Sequence, residues 1–261
     1  MLPQSSAPAL LVAAFAVSAF LVALLVFLTP RIWRARTGAA SRYVWWGVAT
    51  FFIFQIASRI PLVALLSKLA GLGPASGRAA TLVAAVLLSY SAGFFEEVGR
   101  YIVLRRWCKP ESGDAHAWRD AVAFGLGHGA LEAFVLAALP YAGFAVLLSV
   151  RIDAPPPELA AAMGQILKTP AYMPFVSVVE RAMALGLHAA LAVMVARGIN
   201  LGRSRVAVPA AIFVHGTVNL IALALMQAAG WWAAELAVAA SVAGLLWWTV
   251  SVRTDFAFSQ S

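Results

Sequence analysis

Glu96 and Glu97 stand side by side in an otherwise apolar stretch, with Arg100 four and three residues further on. His128, His188 and His215 fall in later apolar stretches; of the four histidines only His116 lies in a polar segment. On a helix, Arg100 reaches either glutamate, so one carboxylate is held by the guanidinium and the other is left to face water. Adjacent carboxylates resist being ionised together, which suits proton transfer near neutral pH. Three imidazoles suit a metal: neutral histidine is the commonest protein ligand, and three with an open water position make a catalytic zinc geometry. Bound zinc brings the pKa of its water towards 7, where a neighbouring carboxylate can act as general base. These residue types point to hydrolysis by a glutamate-activated water, with Zn2+ as the expected metal.

Further polar groups sit one helical turn from these. Glu132 follows His128 on the same face and Asn219 follows His215, and either can orient an imidazole. Asn219 can equally donate to the oxyanion of a tetrahedral intermediate. His188 reads as a ligand or as a neighbour of the ligands. Glu180 and Arg181 read as part of the site or as a buried pair locking their helix. Arg59 with Gln55 reads as a structural polar contact. Gly125, Gly127, Gly129 and Gly216 flank the histidines and permit close helix approach.

The elements that must position these groups are transmembrane helices. Of the 261 residues, 62% are hydrophobic and only 11% charged, against roughly a quarter charged in an average soluble domain. Apolar runs of about twenty residues recur, each long enough to cross a bilayer. They predict an all-α bundle of seven spans at 7–28, 44–67, 79–104, 119–149, 173–196, 206–227 and 231–251, in one membrane domain covering 1–261. The third span reaches that length only by continuing through Glu96, Glu97 and Arg100. Pro140 tilts or kinks the long fourth span. In the segment 151–172, residues Pro157 to Lys168 are expected to form a short helix on the surface.

Basic residues alternate between loops. Arg31, Arg34, Arg36 and Arg42, then Arg105, Arg106, Lys109 and Arg119, then Arg197, Arg203 and Arg205, and finally Arg253 mark one side. The intervening loops hold only Lys68 and Arg78, then Arg151 and Lys168. The positive-inside rule then puts the N-terminus outside and the C-terminus in the cytoplasm, and it accounts for the net charge of +8 without nucleic acid. The first run has no basic segment before it and reads as a retained helix. Trp45, Trp46, Trp107, Trp118, Trp231, Trp232, Trp247 and Trp248 lie near helix ends, where interfacial aromatics belong. The single cysteine, Cys108, excludes an internal disulfide and a cysteine-based metal cluster.

With this topology, Glu96, Glu97, His128, His188 and His215 each lie about eight or nine residues from the arginine-rich end of their helix, roughly 12–14 Å deep. Four consecutive helices thus bring ionisable groups to one level. Such groups are costly within a bilayer and mark pairing or function.

Glu96-Glu97-Val98-Gly99-Arg100, Phe124 through His128, and His215 through Asn219 resemble the EExxxR, FxxxH and HxxxN motifs of the CAAX-protease and bacteriocin-processing superfamily. The arginine stands one residue early for that pattern. The likeness is closer to the YhfC-type intramembrane metalloproteases, which carry EExxR followed by an aromatic and a further Glu-Arg…His segment, matched by Glu180-Arg181 through His188. The resemblance spans the third to sixth helices, about 79–227. It implies hydrolysis of a membrane-associated or lipidated peptide in a bacterial plasma membrane. Glu96 or Glu97 would activate water, His128 and His215 would bind metal or water, and Asn219 would assist the oxyanion. The site is expected to open towards the cytoplasmic half.

Other intramembrane protease chemistries do not fit. HExxH and GxSG are absent, and Asp114, Asp120, Asp153 and Asp255 fall in loops or at helix ends. Two other classes remain compatible with the residues: a proton- or ion-coupled transporter, since buried Glu, His and Arg also build proton relays, and a non-catalytic membrane scaffold or immunity protein.

Overall fold

In the computed structural model, which describes residues 6–69, 78–110, 115–150 and 155–258, the chain is a bundle of helices with no strand among the described residues. The helices are α1 (Ser6–Thr37), α2 (Ser41–Leu69), α3 (Arg78–Ile102, extended by a π-helical turn Val103–Trp107), α4 (Trp118–Ser149), α5 (Pro157–Ile166), α6 (Met173–Asn200), α7 (Ser204–Ala229), α8 (Trp231–Ser251) and the short α9 (Asp255–Phe258). Seven of them, all but α5 and α9, are long and apolar enough to cross a membrane. Asp114, Arg151 and Asp153 of the charge pattern lie outside the described residues.

The spans occur where the apolar runs put them, and the ends differ for local reasons. The first helix continues beyond the expected 28 through Pro30 and the three arginines to Thr37. Its extension is held by Trp33, whose indole N–H donates to the carbonyl of Arg119 at 2.9 Å. It stops at Gly38, whose φ of 69° is open to glycine and whose N–H closes on the Arg34 carbonyl at 2.9 Å. Pro140 does not break α4. The helix widens to π geometry over Phe134–Ala138, just before the proline, which accommodates the ring and its missing donor. The surface helix expected from Pro157 is present as α5 and has no buried residue.

α4 is the centre of the bundle. Every residue from Ala121 to Ala130 is buried, because α2 and α6 approach it on two sides to backbone contact. A Cβ on Gly125 would stand 2.2 Å from the His188 carbonyl oxygen, and one on Gly127 would stand 2.1 Å from that of Val44. Only glycine allows such an approach. α3 and α7 pair in the same way, where Gly93 meets the Ile212 carbonyl and Gly216 meets the Tyr90 ring. The ring α2–α3–α7–α8–α6–α4 closes around the polar centre, and α1 packs outside α4.

α2 and α4 pack together chiefly through the arginine-rich half of α4. Towards the other side α4 leans on α1, through Phe15, Tyr141 and Phe144. The outer part of α2, Ile60–Leu69, has no buried residue at all. Both helices are π-helical where they part, at Phe51–Arg59 and Phe134–Ala138.

A candidate active site buried among six helices

The groups that the sequence placed at equal depth do meet. Glu96 Oε2 lies 2.9 Å from His128 Nε2 and 4.0 Å from His215 Nε2. Glu97 receives Nη1 of Arg100 on both oxygens, at 2.8 and 2.6 Å, and its Oε1 takes Nδ1 of His215 at 2.9 Å. Arg100 therefore holds Glu97, and Glu96 is the carboxylate left to the imidazoles. The rings of His128 and His188 are 4.6 Å apart and those of His188 and His215 are 5.4 Å apart. All six of these residues are buried.

His188, from α6, sits in the middle. Its Nδ1 is 3.2 Å from Arg100 Nη2, and its Nε2 is 2.5 Å from Glu132 Oε2. Glu132 in turn accepts from Arg181 at 3.1 Å, and Arg181 also pairs with Glu180. The two alternatives for Glu180 and Arg181 thus merge: the pair locks α6 and α4 together, and it ends a polar chain that starts at the histidines. Neighbouring residues fix the rings. Phe51 stands edge-on to His128 at 5.3 Å, and Tyr90, bonded to Thr217 at 2.9 Å, packs over Gly216 beside His215.

One donor atom each from Glu96, His128, Glu132 and His188 lie within 4.8 Å of one another. Two imidazole nitrogens and two carboxylate oxygens at that spacing fit a divalent transition metal such as zinc, iron or manganese better than calcium or magnesium, which prefer oxygen alone. His128 Nδ1 is buried without a partner, the mark of a donor atom with capacity to spare. His215 borders this group. Its Nδ1 is oriented by Glu97, the carboxylate–imidazole arrangement that prepares the opposite nitrogen for a ligand.

A cavity of about 480 Å³ adjoins the cluster. Glu96, Glu132, His188 and His215 form its floor, Asn219 lines its wall, and it runs past Leu88, Leu136 and Met226 to Glu235. These residues lie towards the helix ends opposite the arginine-rich loops. The opening was expected towards the arginine-rich half, and the lining residues lie away from it; on that side α4 and α6 are buried from Ala121 to Ala130 and from Leu187 to Val193.

Two lining residues were not singled out as site groups from the sequence. Glu235 is the only charged residue of the last span, and Gln55 is the only amide of the second; being alone in an apolar run was the available signal. Arg59, read with Gln55 as a structural contact, bonds instead to Ser91 Oγ at 3.1 Å and the Leu88 carbonyl at 2.7 Å, which ties α2 to α3.

An "Uncharacterized membrane protein YhfC" of Bacillus subtilis (strain 168) is 28% identical over 180 residues, covering 63% of this chain and 67% of that protein. No solved structure matches. The family model described as YhfC intramembrane metalloprotease matches residues 20–242, a stretch that contains the entire polar cluster. This integral membrane chain belongs to the YhfC intramembrane metalloprotease family.

Proposed function

We propose that the chain is a metal-dependent endopeptidase that hydrolyses a membrane-associated or lipidated peptide within the bilayer. The observation that carries this reading is the division of labour between the adjacent glutamates: Arg100 takes Glu97 and leaves Glu96 beside His128 on the cavity floor. A general base needs such a position, unpaired with a permanent cation and open to water. The motif likeness to the CAAX-protease superfamily and the family's description support the same chemistry.

In this reading Zn2+ would be held by His128, His188 and His215, with Glu132 as an oxygen donor in reach. When bound, the metal polarises the scissile carbonyl and acidifies water. Glu96 takes the proton of the attacking water as its oxygen joins the carbonyl carbon. It returns that proton to the nitrogen as the C–N bond breaks, giving a carboxylate and an amine. Glu97, fixed by Arg100, holds His215 through Nδ1. Asn219, on the cavity wall, donates to the oxyanion. Glu132, Arg181 and Glu180 hold His188 and the mouth of α6.

The test is metal content and turnover together. Protein purified in detergent without added metal is expected to carry close to one zinc per chain, lost in H128A, H188A and H215A. In proteoliposomes it is expected to cleave members of a quenched-fluorescence library of single-span peptides, and E96Q is expected to abolish cleavage while retaining metal and fold. Cleavage at the wild-type rate by E96Q would overturn the reading.

A further inference from the structure

Gln55 has no hydrogen-bond partner among the described residues, and its Oε1 is buried. Gln55 as a whole is half-buried, but a buried acceptor left unpaired costs about 1–3 kcal/mol of stability, and such atoms are rare enough to need a reason. The polar side chains closest to it along α2 do not supply one, since Ser58 bonds back to the Ile53 carbonyl and Arg59 is bound to α3. Gln55 lies in the π-helical stretch of α2, where that helix bends away from α4, and it shares the cavity wall with Glu96 and Asn219.

A peptide reaching Glu96 from the bilayer has to be extended to be cut, and extension exposes backbone N–H and C=O groups. At hydrocarbon depth each unsatisfied group costs several kcal/mol. Whatever unwinds a membrane segment must offer an acceptor and a donor in compensation. A carboxamide offers both, at the spacing of a peptide unit. On the side of the cavity the outer part of α2 has no buried residue, and Leu136 of α4, at 52% exposure, lines the cavity together with Gln55 and Arg59 of α2.

We propose that Gln55 binds the main chain of the substrate. A membrane-embedded peptide segment enters between the diverging halves of α2 and α4, on the side opposite the arginine-rich loops, and its unwound backbone pairs with the Gln55 amide beside Glu96. This deepens the peptidase reading and rests on it for the cleavage step, but not for the binding step. Recognition through the backbone is independent of side chains, so a generic membrane peptide is a fair probe.

The experiment uses the full chain in proteoliposomes with a biotinylated leucine–alanine single-span peptide carrying benzophenone at its midpoint. Crosslinking yield and thermal unfolding are measured for wild type and for Gln55→Met, which keeps length and removes the amide. Loss of one hydrogen bond lowers crosslinking by roughly three- to tenfold, while the melting temperature stays level or rises, because the unpaired amide is gone. Undiminished crosslinking overturns the proposal. So does a fall in melting temperature that accompanies the loss, since that is the behaviour of a structural residue. The two readings separate cleanly: Gln55-dependent crosslinking without cleavage of any library peptide removes the peptidase and leaves the peptide site, whereas cleavage that Gln55→Met does not alter removes the peptide contact and leaves the peptidase.

Discussion

Arg100 Nη2 lies 3.2 Å from His188 Nδ1, and a guanidinium can only donate. The Nδ1 of His188 is therefore the lone-pair nitrogen, and its Nε2 carries the proton that goes to Glu132. One arginine thus fixes the charge of Glu97 and the tautomer of His188 at once, from a position with no exposed side-chain surface. A metal that takes His188 through Nε2 requires that proton to move to Nδ1 and Arg100 Nη2 to give up its contact there.

Arg100 is for this reason the residue whose loss is felt most widely. Arg100→Met leaves Glu97 as a buried, uncompensated charge and is expected to cost about 3–5 kcal/mol of stability. Arg100→Lys keeps the charge but loses the fork, and about 1–3 kcal/mol is expected. Thermal unfolding in one detergent orders the three proteins; an Arg100→Met variant as stable as wild type would contradict the assigned pairing.

Glu132 separates a metal site built on His188 from one built on His128 and His215 alone. Glu132→Gln is expected to weaken zinc binding by about 10- to 100-fold if the carboxylate orients or joins the ligands. Zinc titration against a fluorescent chelator reads this directly, and an unchanged affinity would confine the metal to the other side of the cluster.

The backbone contacts of α4 are testable by single methyl groups. Gly125→Ala would put a Cβ at 2.2 Å from the His188 carbonyl oxygen, and overpacking of this kind costs about 1–3 kcal/mol or more. Because α6 must shift, metal content should fall with stability. Gly143→Ala meets nothing within 4 Å and is expected to be neutral or to stabilise by up to about 1 kcal/mol.

On the arginine-rich side, the segment before α4 is pinned by the fourth buried histidine, His116. His116 Nδ1 pairs with the Tyr43 hydroxyl at 2.9 Å, and its backbone is clamped by the Asn200 amide at 2.9 Å through both N–H and C=O. Burial is the main cause that lowers its pKa from 6.5 to about 4. The unfolded chain therefore takes up a proton at a pH where the native protein does not. The contribution of His116 to stability is complete above about pH 6.5 and is lost as the pH falls towards about 4, by at most about 1.4 kcal/mol per pH unit. Melting temperature measured against pH should flatten over that window in His116→Gln; an unchanged profile would show that His116 is not the group responsible. Cys108 is buried in the same region, and its thiol is pushed up to about 12, mainly by burial, so the wild-type chain should resist alkylation.

That inert thiol makes the side of access measurable. Ala92→Cys and Ala222→Cys place thiols on the cavity wall. A charged, membrane-impermeant methanethiosulfonate should modify them from the face opposite Arg105, Arg106 and Arg203, and not from the arginine-rich face. Modification from the arginine-rich face alone would put the entrance on the other side.

The sequence by itself determined the helices and the level at which the polar residues lie. Apolar length fixes a span because an unpaired backbone is intolerable in hydrocarbon, and a rise of about 1.5 Å per residue turns loop positions into depth. Glu96, Glu97, His128, His188 and His215 were legible for that reason. Rotation about each helix axis, and the lean of one helix on another, were not, because they depend on which backbones can touch. Gly125 and Gly127 set α4 against α6 and α2. From this follow the pairing of Arg100 with Glu97 rather than Glu96, the contact of Glu132 with His188, and the close packing of α4 and α6 on the arginine-rich side. Local sequence gives no measure of how far α2 bends from α4 after Phe51, and that bend decides where the cavity opens and why the amide of Gln55 is left facing it. Linear depth is a property of one helix, whereas pairing and access are properties of six.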